Sequence, residues 1–336
     1  MAGITLSLDL SKLAKPEAEK QEEVIERELI IIGGGPAGMT AGIYAGRAEV
    51  KPLILIGQAF GGQAATTSEM ENYPGFPEGI GGMALAEQMA AQAARFGAET
   101  AFEEVTSVNL GVYPFLLKTY GATYRAKALI ICTGTSPRRL GVPGESKFIG
   151  RGVSFCATCD GYFYKDKRVV VVGGGDSALD EGLYLTRFAS EVLIVHRRDQ
   201  LRATPILQKR AMANPKMRFI WNTVVEEILG EDVVTGVRVR NVQSGEQSVI
   251  PCDGLFVYIG LIPNTQLFKG QLALDENGYI ITDKRQHTSV PGVFAAGDVQ
   301  DPYFRQVVIA AGSGAAAAIE AVRFLAEKAY EEAGKG

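Results

Sequence analysis

This chain has few histidine, cysteine and tryptophan residues, and it has no excess of basic charge. Of 336 residues only two are histidine, four are cysteine and one is tryptophan. A metal site built on histidine, or a nucleophile that needs a histidine base, is therefore nearly excluded. The cysteines are too few for a secreted scaffold held by disulfides, and a hydrophobic content of 46% excludes disorder. A formal net charge of −4 offers no basic surface for nucleic acid.

Long apolar runs and targeting segments are also lacking. The longest apolar stretch, Val307–Ile319, is interrupted by Gly312, Ser313 and Gly314, and it is shorter than the roughly 20 residues of a membrane span. The N-terminus has no basic start of the secretory kind. We therefore expect a cytoplasmic protein without a membrane partner, in which thiols stay reduced unless they have a redox role.

Glycine, by contrast, is abundant, with 40 residues that gather in short clusters. Two clusters lie in segments 28–57 and 168–197, which align with each other without a gap. Each segment is typical of a buried strand, a glycine-rich turn, an amphipathic helix and a second apolar strand, which is one βαβ unit. One such motif is weak evidence, but two in this context predict an α/β fold with two Rossmann-like dinucleotide-binding domains.

The order of the segments predicts a split domain with a second domain inserted in it. We expect the split domain over 28–139 and 265–336 and the insert over 140–264, with hinges at the two crossings. Residues 1–27 form an arm whose charged end offers no wide apolar face, so it is a solvated extension or a segment that docks a partner. The Ala-rich stretch 307–328 predicts a long helix whose early glycines allow close approach to another element.

The first glycine turn, GGGPAG, has the spacing that binds a pyrophosphate. Gly33 allows the tight turn, Gly35 lets the backbone approach the phosphates, and Gly38 permits close packing of helix on strand. The acid that usually follows the second strand is replaced by Ile56, so ribose binding depends on the backbone around Gly57. A purely structural glycine turn is the alternative.

An apolar strand near the C-terminal end runs into Gly297 and Asp298. Taken alone, this Gly-Asp pair is a turn. Taken with the first glycine turn, Gly297 allows close approach of a cofactor chain, and Asp298 can accept hydrogen bonds from its hydroxyl groups.

The second glycine turn, GGGDSA, is followed by a strand that ends in a basic loop rather than in an acid. Guanidinium groups suit a 2′-phosphate through charge-assisted, often bidentate hydrogen bonds, so the loop favours NADPH over NADH. A solvated basic loop is the alternative. The residues expected to bind the nucleotide are Gly175, Asp176, Ser177, Ala178, His196, Arg197, Arg198 and Arg202.

A C-x-x-C motif, Cys156 to Cys159, lies just upstream of the second glycine turn. Beside dinucleotide folds in a cytosolic protein, this motif predicts a redox dithiol. The alternative is a zinc site, which needs two more ligands; Cys132 and Cys252 are candidates, but their apolar surroundings indicate single core cysteines. Asp160 fits either an Asp-Gly turn or an acid–base group for the adjacent sulfur, and the two are compatible.

These motifs closely resemble those of the low-molecular-weight, bacterial-type thioredoxin reductases. The resemblance covers about residues 28–328. It is carried by GGGPAG (33–38), GGQ (61–63), ENYPG (71–75), CTG (132–134), GRGVSFCATCDG (150–161), GGGDSA (173–178), HRRDQLR (196–202) and GVFAAGDVQDPYFRQ (292–306). The combination of CATCD with HRR is highly specific.

The resemblance implies FAD in the split domain, NADPH in the insert, thioredoxin as the partner and a homodimer. It implies that Cys159 faces the flavin, Cys156 attacks thioredoxin, and Asp160 is the acid–base partner. The departures are Ile56, Cys132 where the family often has Ala, and the arm. The resemblance assigns FAD contacts to Gly33, Gly35, Pro36, Ala37, Gly38, Gly57, Gly62, Gln63, Asn72, Val105 through its backbone, Gly134, Gly297, Asp298, Arg305, Gln306 and Val307.

Other function classes differ from this one in testable features. A related FAD/dithiol reductase or oxidase would act on another disulfide carrier. A flavin-dependent reductase of ferredoxin or flavodoxin would not need the dithiol. A nucleotide-sensing module without activity would need neither the two cysteines nor the basic loop, and NADPH turnover with a disulfide acceptor would exclude it.

Overall fold

The computed structural model describes residues 24–67 and 69–334. Its strands are β1 (Val24–Ile32), β2 (Leu53–Leu55), β3 (Glu99–Ala101), β4 (Val105–Asn109), β5 (Phe115–Thr119), β6 (Thr123–Ile131), β7 (Thr135–Pro137), β8 (Val153–Ser154), β9 (Arg168–Gly173), β10 (Glu191–Val195), β11 (Met217–Ile220), β12 (Thr223–Gly230), β13 (Val234–Asn241), β14 (Gln247–Pro251), β15 (Gly254–Tyr258), β16 (Leu261–Pro263) and β17 (Val293–Ala295). Its α-helices are α1 (Pro36–Arg47), α2 (Gly82–Arg95), α3 (Glu145–Phe148), α4 (Ala157–Asp160), α5 (Asp176–Leu185), α6 (Pro205–Ala213) and α7 (Val307–Ala333).

A seven-stranded sheet in the order β3–β2–β1–β6–β5–β4, with β17 beside β6, forms the centre of the split domain. Strand β1 lies between two parallel neighbours, and Leu29, Ile30 and Ile31 in it are fully buried. Leu29 and Ile31 pack with α1 and α7, while Ile30 packs into the core on the opposite face. Burial on both faces explains the continuous apolar run. Burying each such side chain contributes roughly 1.5–3 kcal/mol to the stability of the fold.

A five-stranded parallel sheet in the order β11–β10–β9–β15–β8 forms the inserted domain, with the antiparallel sheet β12–β13–β14 beside it. Strand β9 buries Val171 against α5 on one face and Val172 against the antiparallel sheet on the other. Each of the two domains contains the strand–turn–helix–strand unit that the sequence repeat predicts. The prediction of a two-domain Rossmann-like fold is confirmed.

The two crossings between the domains lie side by side. Strand β7 leaves the split domain and β16 returns to it, and the two pair antiparallel with Pro137 opposite Leu261 and Thr135 opposite Pro263. The hydroxyl of Thr133 donates to the backbone carbonyl of Asn264 across the same crossing (2.8 Å). The insert is therefore joined to the rest of the chain through one narrow ribbon.

The last four residues of the expected arm are part of the first strand of the split domain. Strand β1 begins at Val24, and residues 24–27 pair with 123–126 of β6. The charged residues at its end pair with other strands of the sheet, since Arg27 bonds Glu99 (2.8 Å) and Lys127 bonds Glu28 (3.0 Å). The rest of the expected arm, residues 1–23, lies outside the described residues.

Helix α7 is longer than the apolar stretch expected from the sequence, with 27 residues. Within the described part of the chain it is the one helix long and apolar enough to cross a membrane, with a mean hydropathy of 1.5 over its most apolar window. Its buried side packs closely on α1, because a Cβ on Gly314 would overlap the carbonyl of Ala37. A core helix of a soluble protein passes the same test of length and composition, so this feature is weak evidence for a membrane.

Candidate active site

The first glycine turn joins β1 to α1. At two of its glycines a Cβ would overlap the backbone, whereas at a third there is room for one. A Cβ on Gly33 would overlap the carbonyl oxygen of Cys132, and its φ of 118° is in the left-handed region. A Cβ on Gly38 would overlap the carbonyl of Gly33. Gly35 differs, since its φ is −81° and a Cβ there would meet no atom nearer than 3.9 Å. The fold thus requires Gly33 and Gly38, whereas Gly35 leaves open space at the N-terminus of α1.

The second glycine turn, between β9 and α5, repeats this division. Gly173 has a φ of 154°, and a Cβ there would overlap the carbonyl of Tyr258. Gly175 has a φ of −98°, and a Cβ on it would meet nothing within 4 Å. Ala178, at the third glycine position, is fully buried against the sheet. Each domain therefore has open space at the start of the helix that follows its first strand.

The loop after β10 folds back over the second glycine turn. The backbone N–H of Arg202 donates to the carbonyl of Gly174 (2.7 Å), and the N–H of Thr204 donates to the carboxylate of Asp176 (2.6 Å). Arg197, Arg198 and Arg202 are exposed beside the turn. The charges of these three arginines act on His196, whose ring lies against Gly174 of the turn.

His196 lies apart from these arginines, beneath the turn. Its ring is only 5% exposed, and Nε2 lies 3.0 Å from the carbonyl of Gln200. A Cβ on Gly174 would overlap the ring. Burial lowers the pKa of His196, and the neighbouring arginines lower it further. The imidazole therefore supports the turn as a neutral group instead of presenting charge to a phosphate.

Some residues assigned from the resemblance lie beside the first turn, and others contact one another or their neighbours within the split domain. The N–H of Gly61 donates to the carbonyl of Gly34 (3.1 Å), which sets Gly62 beside Gly35. The Asn72 amide donates to Gln306 (3.0 Å), just before α7 begins at Val307. Gln63 donates to the hydroxyl of Thr135 (2.8 Å).

The remaining residues of this set are closer to the sheet edge or the hinge. Gly297 lies against α1, since a Cβ there would contact Ala37 at 2.9 Å, and burial raises the pKa of the next residue, Asp298, to about 6. Gly134 accepts from the N–H of Asn264 (3.0 Å). Val105 begins β4, the last strand in the order of the seven-stranded sheet, and its side chain is buried.

The cysteines of the C-x-x-C motif form a disulfide at the start of α4, with their Cα atoms 5.4 Å apart. Cys159 is exposed and Cys156 is half-buried. The sulfur of Cys156 accepts from the backbone N–H of Cys159 (3.2 Å) and lies 3.4 Å from the hydroxyl of Thr158. Hydrogen bonds to Cys156 favour its thiolate once the disulfide is reduced.

Two contacts join this part of the insert to the split domain. The hydroxyl of Thr158, inside the C-x-x-C motif, donates to the backbone carbonyl of Thr66 at the end of the turn that contains Gly62. An ion pair links Arg210 of α6 to Glu71, with its shorter contact at 3.2 Å. The disulfide therefore lies near the segment that packs beside the first glycine turn.

The other two cysteines do not extend this site. Cys132 and Cys252 are free and buried, and burial raises the pKa of Cys252 to about 12. Within residues 24–67 and 69–334, no group of three or more His, Cys, Asp or Glu side chains is placed to hold a metal ion.

Comparison with known proteins identifies the family. The model of the pyridine nucleotide-disulphide oxidoreductases matches residues 27–314. The chain belongs to the pyridine nucleotide-disulphide oxidoreductase family.

Named relatives of this oxidoreductase agree with the motifs. It is 51% identical to the thioredoxin reductase of Rickettsia felis over 306 residues, which are 90% of this chain and 99% of the relative. It is 49% identical to the thioredoxin reductase of Streptomyces coelicolor over 309 residues, 91% of this chain and 96% of the relative. The predicted resemblance to thioredoxin reductases is confirmed.

Solved structures agree with the fold of this oxidoreductase. The thioredoxin reductase of Lactococcus lactis in its FR conformation has a TM-score of 0.87 and 44% identity, with 90% of this chain and 99% of that chain covered. The thioredoxin reductase of T. acidophilum has a TM-score of 0.83 and 39% identity, with 89% and 98% covered.

Sequence reasoning missed two residues of this oxidoreductase that contact the dithiol segment. The backbone N–H of Ala157, between the two cysteines, lies 2.9 Å from the hydroxyl of Tyr258 and 3.1 Å from a carboxyl oxygen of Glu181. Glu181 is on α5 and Tyr258 ends β15. Neither is adjacent to the motif in the chain, so no local pattern could have identified them.

Proposed function

We propose that this chain is an NADPH-dependent thioredoxin reductase that uses FAD and the Cys156–Cys159 pair. The observation that carries the proposal is the position of the disulfide, which lies on the insert and contacts Thr66 of the split domain through Thr158. A dithiol between two nucleotide-binding turns suits the passage of electrons from a nucleotide to a protein disulfide.

The split domain fits FAD by an observation independent of the motif. Gly35 is required neither by its backbone conformation nor by its neighbours, so the open space there suits the pyrophosphate at the N-terminus of α1. Asp298, kept from water, suits hydroxyl groups of the cofactor as a hydrogen-bond acceptor. Bound FAD would provide electron transfer between NADPH and the disulfide, a chemistry that protein side chains do not provide. The proposed FAD contacts are those assigned from the resemblance.

The insert fits NADPH for the same reason at Gly175, where a Cβ would be unopposed. Exposed Arg197, Arg198 and Arg202 are the groups we assign to the 2′-phosphate. Asp176, Ser177 and Ala178 begin α5, to whose N-terminus we assign the pyrophosphate, and His196 supports the turn from inside the protein.

The dithiol exchanges with thioredoxin as follows. The Cys156 thiolate attacks one sulfur of the thioredoxin disulfide, and the other sulfur leaves as a thiolate that is protonated through Asp160, the proposed acid–base partner. The sulfur of Cys159 then attacks Cys156 and gives up its proton to the second thioredoxin sulfur, which releases reduced thioredoxin and re-forms the Cys156–Cys159 disulfide. The hydrogen bond from the Cys159 N–H to the Cys156 sulfur supports Cys156 as the attacking group.

We further propose a cytoplasmic homodimer. The support is the apolar surface on α7, where Val308, Ile309 and Ile319 are each about 40% exposed. Sedimentation of the FAD-loaded protein tests this assembly, and a monomer at micromolar concentration would contradict it.

The function is tested by NADPH oxidation in the presence of purified thioredoxin. We expect rapid turnover with thioredoxin, and none with ferredoxin, flavodoxin or other acceptors that lack a disulfide. Turnover with another small disulfide protein but not with thioredoxin would assign the same chemistry to a different carrier. Absence of any NADPH oxidation would contradict the proposal.

Replacing Arg197 and Arg198 by Ala should weaken NADPH binding about a hundredfold or more. A hydrogen bond to a charged group contributes roughly 1.5–3 kcal/mol, and about 1.4 kcal/mol is tenfold in affinity. NADH, which lacks the 2′-phosphate, should bind the variant and the parent alike. Titration of both nucleotides measures the difference, with Arg187→Ala, just past the C-terminal end of α5, as control. Equal losses for the two nucleotides would contradict the assignment.

Linking the two domains should stop turnover while FAD stays bound. The dithiol and the nucleotide site both belong to the insert, whereas FAD is assigned to the split domain. Reacting atoms must approach to about 3–3.5 Å, and thioredoxin must also reach the dithiol, so the insert has to turn at the β7–β16 ribbon. The ion pair of Glu71 with Arg210 marks where Glu71→Cys and Arg210→Cys can be joined by a short cleavable crosslinker.

Activity with thioredoxin and flavin absorbance are measured before linking, after linking and after cleavage. The two single-cysteine variants, treated with the same reagent, are the controls. Full activity in the linked protein would show that the insert does not need to turn.

A further inference from the structure

A buried polar pair supports the dithiol segment from below. The N–H of Ala157 is shared between the Tyr258 hydroxyl and the Glu181 carboxyl, and the Tyr258 hydroxyl lies 3.4 Å from the same carboxyl oxygen. The Glu181 carboxyl thus lies against the peptide group that links Cys156 to Ala157 and against the Tyr258 hydroxyl.

The charges around Glu181 come from three elements. On its own helix, Asp180 is an exposed neighbour, which itself faces Asp176, Glu69, Glu71 and Arg210. From β15, Tyr258 donates to it, and from α4, Asp160 lies close enough to affect Tyr258. Withdrawal from water, with the charge of Asp180 second, raises the pKa of Glu181 to about 7. A further rise of this pKa would therefore add a proton to the carboxyl above neutral pH.

We propose that Glu181, held by Tyr258, is a positioning residue that binds a proton when the Cys156–Cys159 disulfide is reduced and releases it when the disulfide re-forms. This inference rests on the redox function proposed above. Reduction breaks the S–S bond and adds two electrons, which NADPH supplies. One proton goes to a sulfur and leaves a thiol and a thiolate, and a second proton goes to Glu181, so two electrons and two protons are taken up.

The reason is electrostatic. Cys156 adjoins the peptide group that Glu181 accepts from, so a thiolate on Cys156 and a carboxylate on Glu181 are like charges near the same N–H. A like charge disfavours ionisation, and the pKa of Glu181 must therefore rise when the thiolate forms. A pKa that rises on reduction is equivalent to a proton taken up on reduction. Glu181 thus keeps the charge of the site balanced while the thiolate waits for its substrate.

The test is the pH dependence of the dithiol–disulfide equilibrium in the FAD-loaded enzyme. The protein is equilibrated with mixtures of reduced and oxidised dithiothreitol across the neutral range, and the reduced fraction is quantified by alkylation and mass spectrometry. Neither NADPH nor thioredoxin is present. Failure of the proposed function would therefore appear only in the turnover assay, and failure of the proton coupling only here.

We expect the equilibrium constant for reduction in Glu181→Gln to lose one proton of pH dependence above pH 7. The parent should change about tenfold more per pH unit than this variant, which is about 30 mV per pH unit for a two-electron couple. The amide keeps an oxygen that can accept from the Ala157 N–H, so the fold should be retained. The same pH dependence in the parent and in a folded Glu181→Gln would overturn the proposal.

Two further variants test whether Glu181, rather than a neighbouring residue, binds the proton. Tyr258→Phe removes a donor that favours the carboxylate, so the additional pH dependence should persist and move to higher pH. Asp180→Asn, the matched control on the adjacent residue, removes a charge that raises the pKa of Glu181, so it should move the same dependence to lower pH. Loss of the dependence in Asp180→Asn with retention in Glu181→Gln would assign the proton to Asp180 and overturn the proposal.

Discussion

Cys159→Ser is expected to abolish turnover and to trap thioredoxin in a mixed disulfide at Cys156. Once Cys156 has attacked, the second cysteine is the only thiol of the motif that can release the product, and serine cannot replace it because a hydroxyl does not resolve a disulfide. The hydrogen bond from the backbone N–H of residue 159 to the Cys156 sulfur does not depend on the side chain, so the nucleophile should be intact. Mass spectrometry of the reduced variant mixed with oxidised thioredoxin measures the adduct.

Two further variants are the controls for this result. Cys156→Ser should be equally inactive and should trap no thioredoxin, because the attacking sulfur is absent. Cys252→Ala, at a free buried cysteine, should retain turnover. A stable adduct at Cys159, which is the more exposed of the two cysteines in the structure, would show that the two roles are reversed.

Gly35→Glu is expected to yield a folded protein without FAD. A Cβ at this position meets no protein atom nearer than 3.9 Å, and a φ of −81° suits any residue, so the substitution should be tolerated by the fold. The added carboxylate, however, would occupy the space assigned to the pyrophosphate and repel it. Absorbance measures FAD occupancy, circular dichroism measures folding, and thioredoxin reduction should be lost with the flavin.

The matched control for this loss is Gly33→Ala. Its Cβ would overlap the Cys132 carbonyl at a φ of 118°, so we expect loss of stability by about 1–3 kcal/mol or more, whatever ligand is bound. Gly175→Glu should instead keep FAD and lose NADPH. Full flavin occupancy in Gly35→Glu would show that the first glycine turn does not hold the cofactor.

Local patterns were sufficient to predict the two βαβ units and the redox motif. The division between Gly33 and Gly35 follows from spacing, because a turn between a strand and a helix imposes the same geometry wherever it occurs. The neighbouring positions of the dithiol and the second turn also follow from the chain, since Gly173 lies 14 positions after Cys159.

What the sequence could not predict depends on contacts between distant segments. The charges near Arg27 indicated a solvated arm, and only the partner strand explains why they belong to a sheet. His196 resembled a ligand in its motif, but its ring is buried because the loop folds back over Gly174. The contact of Tyr258 with Ala157 spans 101 positions, and no periodicity encodes it.

The paired crossings also bear on how such a chain could be rearranged. Strands β7 and β16 are antiparallel and adjacent, which is the geometry that a two-residue turn closes into a hairpin. Residues 138–260 could therefore be excised and replaced by Asn-Gly with the seven-stranded sheet left continuous, and the excised segment has its own two ends side by side. A domain with adjacent ends can be lost, exchanged or gained in one recombination event without reordering the strands of its host. The ribbon thus makes the inserted domain, with its Cys156–Cys159 pair, a unit that can be transferred whole between proteins.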